Sequence, residues 1–397
     1  MMRAALAGLL LGCTLAVAAQ PPAAAKDHGL APFVIGYVAL QSEPRYQPVH
    51  LAQQFQAEPL GRPYIGAQVA IGESKFPGIA VGVDFSLRRV QAKDADAALA
   101  AVETMRADGV RFVLLDLPTA VIGYVAAQTI GDGVALFNVS SRADLLRQQA
   151  CEPHLFHTAP SNAMRNDALA QYLVSRQWRD VLLLVGPLEA DRALARSFRR
   201  SAKRQGLNIV ASRQFLLGSN PRERNRNDPR LITSGLDYDV VYVADTWGEF
   251  ARKMAYSAQK PRPVVGAAGL VPQAWHWSWV AHGARQLNNR FEDAAGRHAY
   301  GYDWAAWIAV KAIVGSVLRT KSTDYRKLVA YLTAGDLVVD GFKGYRANFR
   351  GWNQQLRTAL LLASGNWVIA RAPIKGFLHK TNYLDTLGFD PSESLCR

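Results

Sequence analysis

A recurring alternation of short apolar runs with segments whose apolar residues fall at helical spacing constrains this chain most. Strands are predicted at 33–40, 85–90, 112–115, 134–139, 181–185, 240–244 and 264–266, and helices at 64–75, 95–107, 162–175, 192–205 and 304–318. Strands alternating with helices form parallel sheets covered by helices on both faces, the α/β class. Seven strands are too many for one five-stranded unit. The reading is therefore two doubly wound lobes of about 120–150 residues, with parallel central sheets and a joining hinge. A ligand is expected in the crevice outside the strand C-termini. The chain divides into an export segment (1–19), lobe 1 (33–150), lobe 2 (151–280), a return to lobe 1 (281–335), and a return to lobe 2 with a C-terminal tail (336–397). Crossings are expected near 151–161 and 275–281.

The export segment has the expected anatomy: Met1-Met2-Arg3, an apolar run from Ala4 to Ala19, and small residues at the cut, which falls after Ala18 or Ala19. A lipobox, Leu10-Leu11-Gly12-Cys13, is the alternative; it would leave a second apolar stretch, Thr14 to Ala19, behind the anchor. Past this segment no window offers the ~20 uninterrupted apolar residues of a membrane-spanning helix. The expected location is the periplasm. Losing Cys13 leaves Cys151 and Cys396, a pair that suggests a disulfide in an oxidising compartment, with two buried thiols as the alternative.

Of 397 residues, 49% are hydrophobic and 20% charged, which excludes a disordered chain. The 46 basic residues against 32 acidic give a net charge of +14, and arginine outnumbers lysine 34 to 12. Such a field favours anions. Export argues against nucleic acid, and the arginine-rich run from Arg222 to Arg230 lacks the interleaved aromatics of a base-stacking surface, so it reads as a solvated loop. Catalytic signatures are missing: the sequence has no Gly-x-Gly-x-x-Gly after a strand, no phosphate loop, no Gly-x-Ser-x-Gly and no His-Glu-x-x-His. The eight histidines show no metal-binding spacing, and Asp94, Asp96, Asp237 and Asp239 read as turn and cap residues. No enzyme and no metal site are expected.

Three segments just past predicted strand ends carry ligand-binding chemistry. They are Glu43-Pro44-Arg45-Tyr46, Asn138-Val139-Ser140-Ser141-Arg142 and Asp245-Thr246-Trp247. Two hydroxyls and a guanidinium ahead of a helix N-terminus can hold a carboxylate. The structural alternatives are Ser140 or Ser141 as a helix cap, Arg142 as a surface charge and Trp247 as interlobe packing. In Trp275-His276-Trp277-Ser278-Trp279, strand alternation would put three indoles on one face, either in the core or with Trp275 or Trp277 stacked on a flat ligand. Indoles amid cationic side chains suit a planar polyanion.

Tyr64 to Ala70 (YIGAQVA), Leu155 to Ser161 (LFHTAPS) and Tyr238 to Val243 (YDVVYV) resemble the first helix, first hinge crossing and a lobe-two strand of type I periplasmic solute-binding proteins. Within that group the chain is similar to the branched-chain amino-acid binding components of ABC transporters, over nearly its whole exported length. Trp275-His276-Trp277, Gln286 to Phe291, Tyr302 to Trp307 and Arg350 to Arg357 resemble the subfamily found with pyrroloquinoline quinone (PQQ) dependent alcohol dehydrogenase systems. The resemblance implies PQQ, a flat quinone with three carboxylates, as bound ligand, and an ABC permease or a PQQ-dependent dehydrogenase as recipient. By position in the family, Arg45, Tyr46, Ser140, Ser141, Arg142, Thr246 and Trp247 become the ligand contacts. A lobe-two acceptor for an ammonium group is missing unless Asp245 serves, which disfavours amino acids. The alternatives are an amino acid or other small solute of alcohol metabolism, and a periplasmic enzyme using the same cleft.

Overall fold

The computed structural model describes residues 29–48, 61–218 and 220–396, so the expected export segment and Cys13 lie outside the described residues. Lobe 1 opens with β1 (Ala31–Leu40), α1 (Tyr64–Ile79), β2 (Val83–Ala92), α2 (Ala95–Ala107), β3 (Phe112–Asp116), α3 (Thr119–Gln128), β4 (Ala135–Asn138) and β5 (Leu155–His157). Lobe 2 follows with α4 (Asn162–Ser175), β6 (Asp180–Val185), α5 (Glu189–Gln205), β7 (Asn208–Gln214), β8 (Val240–Ala244), α6 (Ala251–Ser257), β9 (Val264–Gly266) and β10 (Val271–Gln273). The chain returns to lobe 1 for α7 (Ala284–Ala295), α8 (Gly301–Thr320), α9 (Tyr325–Thr333) and the short strands β11 (Val339–Asp340), β12 (Arg346–Phe349) and β13 (Leu356–Arg357). It ends on lobe 2 with β14 (Leu360–Ser364) and β15 (Trp367–Ala372).

The two central sheets are parallel, ordered β2-β1-β3-β4-β5 and β7-β6-β8-β9. Their inner strands are apolar on both faces because helices cover both, hence the continuous Val/Leu/Phe runs rather than alternation. In lobe 1, α2 and α3 pack Val102, Met105 and Val125 against Val38 and Leu115. On the other face α1 and α8 cover Phe33, Phe85, Phe112 and Phe137. Helix α8 is apolar and buried over most of its circumference, as a central helix must be, with Lys311 and Arg319 on its less buried side. Helix α1 approaches it closely at Gly66, where a Cβ would collide with the Asp303 carbonyl.

The helices read from periodicity at 95–107 and 162–175 coincide with α2 and α4. Asp94 and Ser161 cap them, accepting from Ala97 N at 2.8 Å and Met164 N at 3.1 Å. Strand β7, absent from the sequence reading, is an edge strand whose alternately exposed residues leave no apolar run. Lobe limits also differ. Strand β5 pairs with β4, and Trp275, Ala347, Phe349 and Leu356 join the lobe-1 core, whereas the sequence reading divides the chain at 150, 280 and 335. Strands of two to four residues give too little periodicity to be assigned to a lobe from sequence.

The lobes are thus joined, among the described residues, by crossings at 158–161, near Ala274 and near Thr358. The first and third run side by side, with His157 N donating to Gln354 O at 2.9 Å. A covalent link is added by Cys151 at the edge of lobe 1 and Cys396 in the tail, joined as a disulfide across 245 residues. The tail itself is fastened to lobe 2, where Asp167 of α4 accepts from Gly388 N and pairs with Arg200 and Arg204 of α5.

Candidate functional site

The ends of β1, β3 and β4 form the lobe-1 lip of the crevice. Asp116, the last residue of β3, is buried and organises it. Its carboxylate accepts from the Tyr46 hydroxyl at 2.6 Å and the Tyr37 hydroxyl at 3.1 Å, and faces the Arg45 and Arg62 guanidinia at 3.5 and 3.9 Å. Burial, followed by the Asp116 charge, pushes both tyrosine hydroxyls well above their usual range, so they stay protonated and donate. Arg45 is committed within the lip, with Nε donating to Glu43 Oε1 at 3.0 Å. Burial opposes its charge, but Tyr46, Asp116 and Glu43 outweigh that and raise its pKa.

Tyr302, at the start of α8, brings two of the expected residues together. Its ring lies 4.4 Å from the Arg142 guanidinium and 5.9 Å from that of Arg45. Beyond β4, Asn138 shapes the loop: its Oδ1 accepts from Ser140 N and Ser141 N, and its Nδ2 donates to Ser141 O. Ser141 Oγ lies 2.8 Å from Thr119 Oγ1 at the first turn of α3. Ser140 is buried, and its hydroxyl has no hydrogen-bond partner, as do Glu43 Oε2 and Arg45 Nη2. Unsatisfied buried polar atoms gathered at one lip are able to hydrogen-bond a polar ligand. Asp116, Arg62, Thr119 and Tyr302 were missed in the sequence; an acid closing the apolar run Phe112–Asp116 was the available signal for the first.

The lobe-2 lip is different. Thr246 is exposed, its N and Oγ1 donating to Asp191 Oδ1 at 2.6 and 2.5 Å, and Trp247 is half-buried. Asp191 Oδ2 accepts from Leu188 N, tying the α5 start to the β8 end. Asp245 is engaged by its own lobe. Both its oxygens take backbone N–H groups, from Gly248, Phe250 and Ala251, where α6 begins. Burial raises its pKa, and those three N–H groups oppose the rise.

The tryptophan expectation needs correction. Residues 275–279 form a turn after β10 rather than an extended strand, so the indoles do not share a face. Trp275 is fully buried in the lobe-1 core, parallel to Trp304 and donating to Asn288 Oδ1 at 2.9 Å, and offers no face to a ligand. Trp277 stacks on His298 at 4.3 Å.

A family model for periplasmic binding proteins matches residues 78–221. A search of curated proteins returns no match. Among solved structures, an ABC transporter substrate-binding protein from Sphaerobacter thermophilus superposes with a TM-score of 0.71 at 15% identity, covering 86% of this chain and 98% of that one. The fold is that of type I periplasmic binding proteins. A Leu-, Ile-, Val-, Thr- and Ala-binding protein from Brucella ovis gives 0.67 at 14% identity over 92% and 98% of the two chains. A solute-binding protein from R. palustris in complex with benzoate gives 0.64 at 10% identity over 92% and 100%.

Proposed function

We propose that this protein is a periplasmic solute-binding protein that takes a small organic anion between its lobes, closes on it, and presents the closed form to the permease of an ABC-type transporter. The observation that carries the reading is the convergence of Arg142 with the Ser140, Ser141 and Thr119 hydroxyls beside the Tyr302 ring, at the C-terminal end of the lobe-1 sheet. A guanidinium with nearby hydroxyls suits a carboxylate, and the Tyr302 and Tyr46 rings suit a flat apolar body. The fold hinges naturally about its crossings. The R. palustris protein holds benzoate, an aromatic carboxylate. PQQ, with three carboxylates on a planar ring, is the candidate that fits the same chemistry, and a PQQ-dependent dehydrogenase is then an alternative recipient. Binding requires no bond to be broken, and we assign the protein no catalytic step.

Glu43 favours a second reading. Its buried Oε2 lacks a hydrogen-bond partner and could accept the ammonium of an amino acid whose carboxylate sits at Ser140–Ser141. Titration of the exported protein with PQQ, benzoate and leucine, by calorimetry and by tryptophan quenching against a free-tryptophan control, separates the two. Saturable one-to-one binding of PQQ or benzoate, weakened about tenfold or more by Arg142→Ala, is expected. Saturation by leucine alone, with Glu43→Gln abolishing it, would overturn the anion reading.

A further inference from the structure

Behind the Ser140–Arg142 loop lies a buried cation that the site itself does not use. Arg147 is 1% exposed and ends a short turn, Asp144–Arg147, whose Leu146 packs in the lobe-1 core. Its donors all meet neutral acceptors: Nε gives to Gln355 Oε1 at 3.0 Å, Nη1 to Ala143 O at 2.9 Å, and Nη2 to Ser141 O at 3.0 Å and Ala159 O at 2.8 Å. Ser141 belongs to the ligand lip, Ala159 to the first crossing and Gln355 to the approach of the third. Gln355 Nε2 closes the network on His157 O and Ala159 O.

The neighbourhood supplies no counter-charge at ion-pair distance among the described residues. His157, fully buried and 3.0 Å from Asn138 Nδ2, is held neutral by burial and then by the Arg147 charge itself. Asp144 is the acid whose field reaches Arg147, but its Oδ1 accepts from Ala163 N at the start of α4, and burial raises its pKa. A cation removed from water and left without an ion pair carries a large desolvation penalty, so proteins retain such groups only where something offsets it. Desolvation is accordingly the leading influence on this guanidinium, lowering its pKa to about 9.

We infer that Arg147 is a specificity-determining residue: without touching the solute, it makes the lobe-1 lip select an anion, whose charge is its missing counter-ion across the Ser141 peptide. This rests on the anionic-ligand reading above and deepens it. In low-dielectric surroundings the field of a unit charge persists across one peptide unit, enough at an effective dielectric of about 20 to alter binding roughly tenfold. Cations bound directly at the lip, Arg45 and Arg62, are largely offset by Glu43 and Asp116. Arg147 is not.

The test compares an acid with its neutral isostere in each variant: PQQ against its trimethyl ester, and benzoate against benzamide. Wild type is expected to prefer the acid of each pair. Arg147→Gln should weaken the acid by about tenfold while leaving the ester or amide nearly unchanged. Arg147→Lys, which keeps the charge and loses the fork, should retain most of the preference. Asp144→Asn, which removes the competing acid and keeps an oxygen for Ala163 N, should bind the acid more tightly, and it carries the test if Arg147→Gln does not fold. A purely structural Arg147 predicts equal losses for acid and isostere and no gain in Asp144→Asn; either result overturns the inference alone. A wild type that does not prefer the acid of either pair overturns the inference together with the anion reading.

Discussion

The two lips of the crevice are built from the same parts, an acid at a strand end, hydroxyls and an aromatic ring, yet they use them oppositely. In lobe 1 the Asp116 carboxylate gathers side chains, Tyr37, Tyr46, Arg45 and Arg62, and leaves polar atoms of Glu43, Arg45 and Ser140 unsatisfied. In lobe 2 Asp191 and Asp245 spend their oxygens on the lobe's own chain: backbone N–H groups of Leu188, Thr246, Gly248, Phe250 and Ala251, and the Thr246 hydroxyl. On the function proposed above, the lobe-1 lip recognises the solute and the lobe-2 lip holds its own loops. Affinity should therefore be concentrated in lobe 1, while damage to lobe 2 should register as lost stability.

The sharpest break of this contrast is a pair of acid deletions. Asp116→Ala strands two buried tyrosine hydroxyls and leaves Arg45 with Glu43 alone, and is expected to cost about 3–5 kcal/mol in urea unfolding and to abolish ligand binding. Asp245→Ala removes the acceptor of the Gly248, Phe250 and Ala251 N–H groups ahead of α6 and should cost about 1–2 kcal/mol, with the affinity of the folded protein close to wild type. Should Asp245→Ala lose affinity while Asp116→Ala keeps it, the roles of the lobes are reversed.

The link between the lobes offers the next test. Cys396→Ser opens the disulfide from the lobe-1 edge to a tail already clamped by Arg200 and Arg204, and should destabilise by about 2–4 kcal/mol. Hydrogen exchange is expected to rise in the tail beyond Gly388 and around Gln148, which accepts from Leu395 N at 2.9 Å, and not in the lobe-2 sheet. Exchange rising throughout lobe 2 would show that the clamp depends on the disulfide.

A third prediction concerns pH. His276 is buried beside the second crossing, and desolvation lowers its pKa from the ordinary 6.5 to about 4. The unfolded chain then binds a proton that the native state refuses, so stability is full above pH 6.5 and falls as pH drops toward 4, by up to about 3 kcal/mol. His157 is shifted in the same direction by burial and by Arg147, and adds to the acid sensitivity. Melting temperatures between pH 7.5 and 4.5 should fall less steeply in His276→Gln than in wild type. Equal slopes would remove His276 from the account.

How much of this was legible in the sequence depended on how local the signal was. Strands β8 and β9 and helices α2 and α4 could be read because burial on both sheet faces, or on one helical face, prints itself on consecutive residues. The lip could be read only by halves. Arg45, Tyr46, Ser140, Ser141 and Arg142 follow strand ends and are singled out by that rule, but Asp116 and Tyr302 reach them across 70 to 257 residues of chain, and Arg62 joins through Asp116, 54 residues on, by pairings no local pattern encodes. The triple tryptophan misled for the converse reason: alternation was visible, but whether the segment is extended is decided by tertiary contacts such as that of Trp275 with Trp304.

The smallest expected effect is also the finest test of the comparison. Thr246 sits at the lobe-2 lip, exposed, just past the end of β8. Here its hydroxyl donates to Asp191 Oδ1, which the Thr246 backbone N–H also reaches, so Thr246→Val removes one of two donors to the same oxygen. The loss should be about 1 kcal/mol of stability or less. Affinity for PQQ or benzoate should stay within a factor of about two, against a loss of about tenfold for Arg142→Ala, since a charge-assisted contact is worth about 1.5–3 kcal/mol and a bystander hydroxyl nothing. If Thr246→Val weakens binding as much as Arg142→Ala does, the hydroxyl leaves Asp191 for the ligand when the lobes close, and lobe 2 recognises the solute as lobe 1 does.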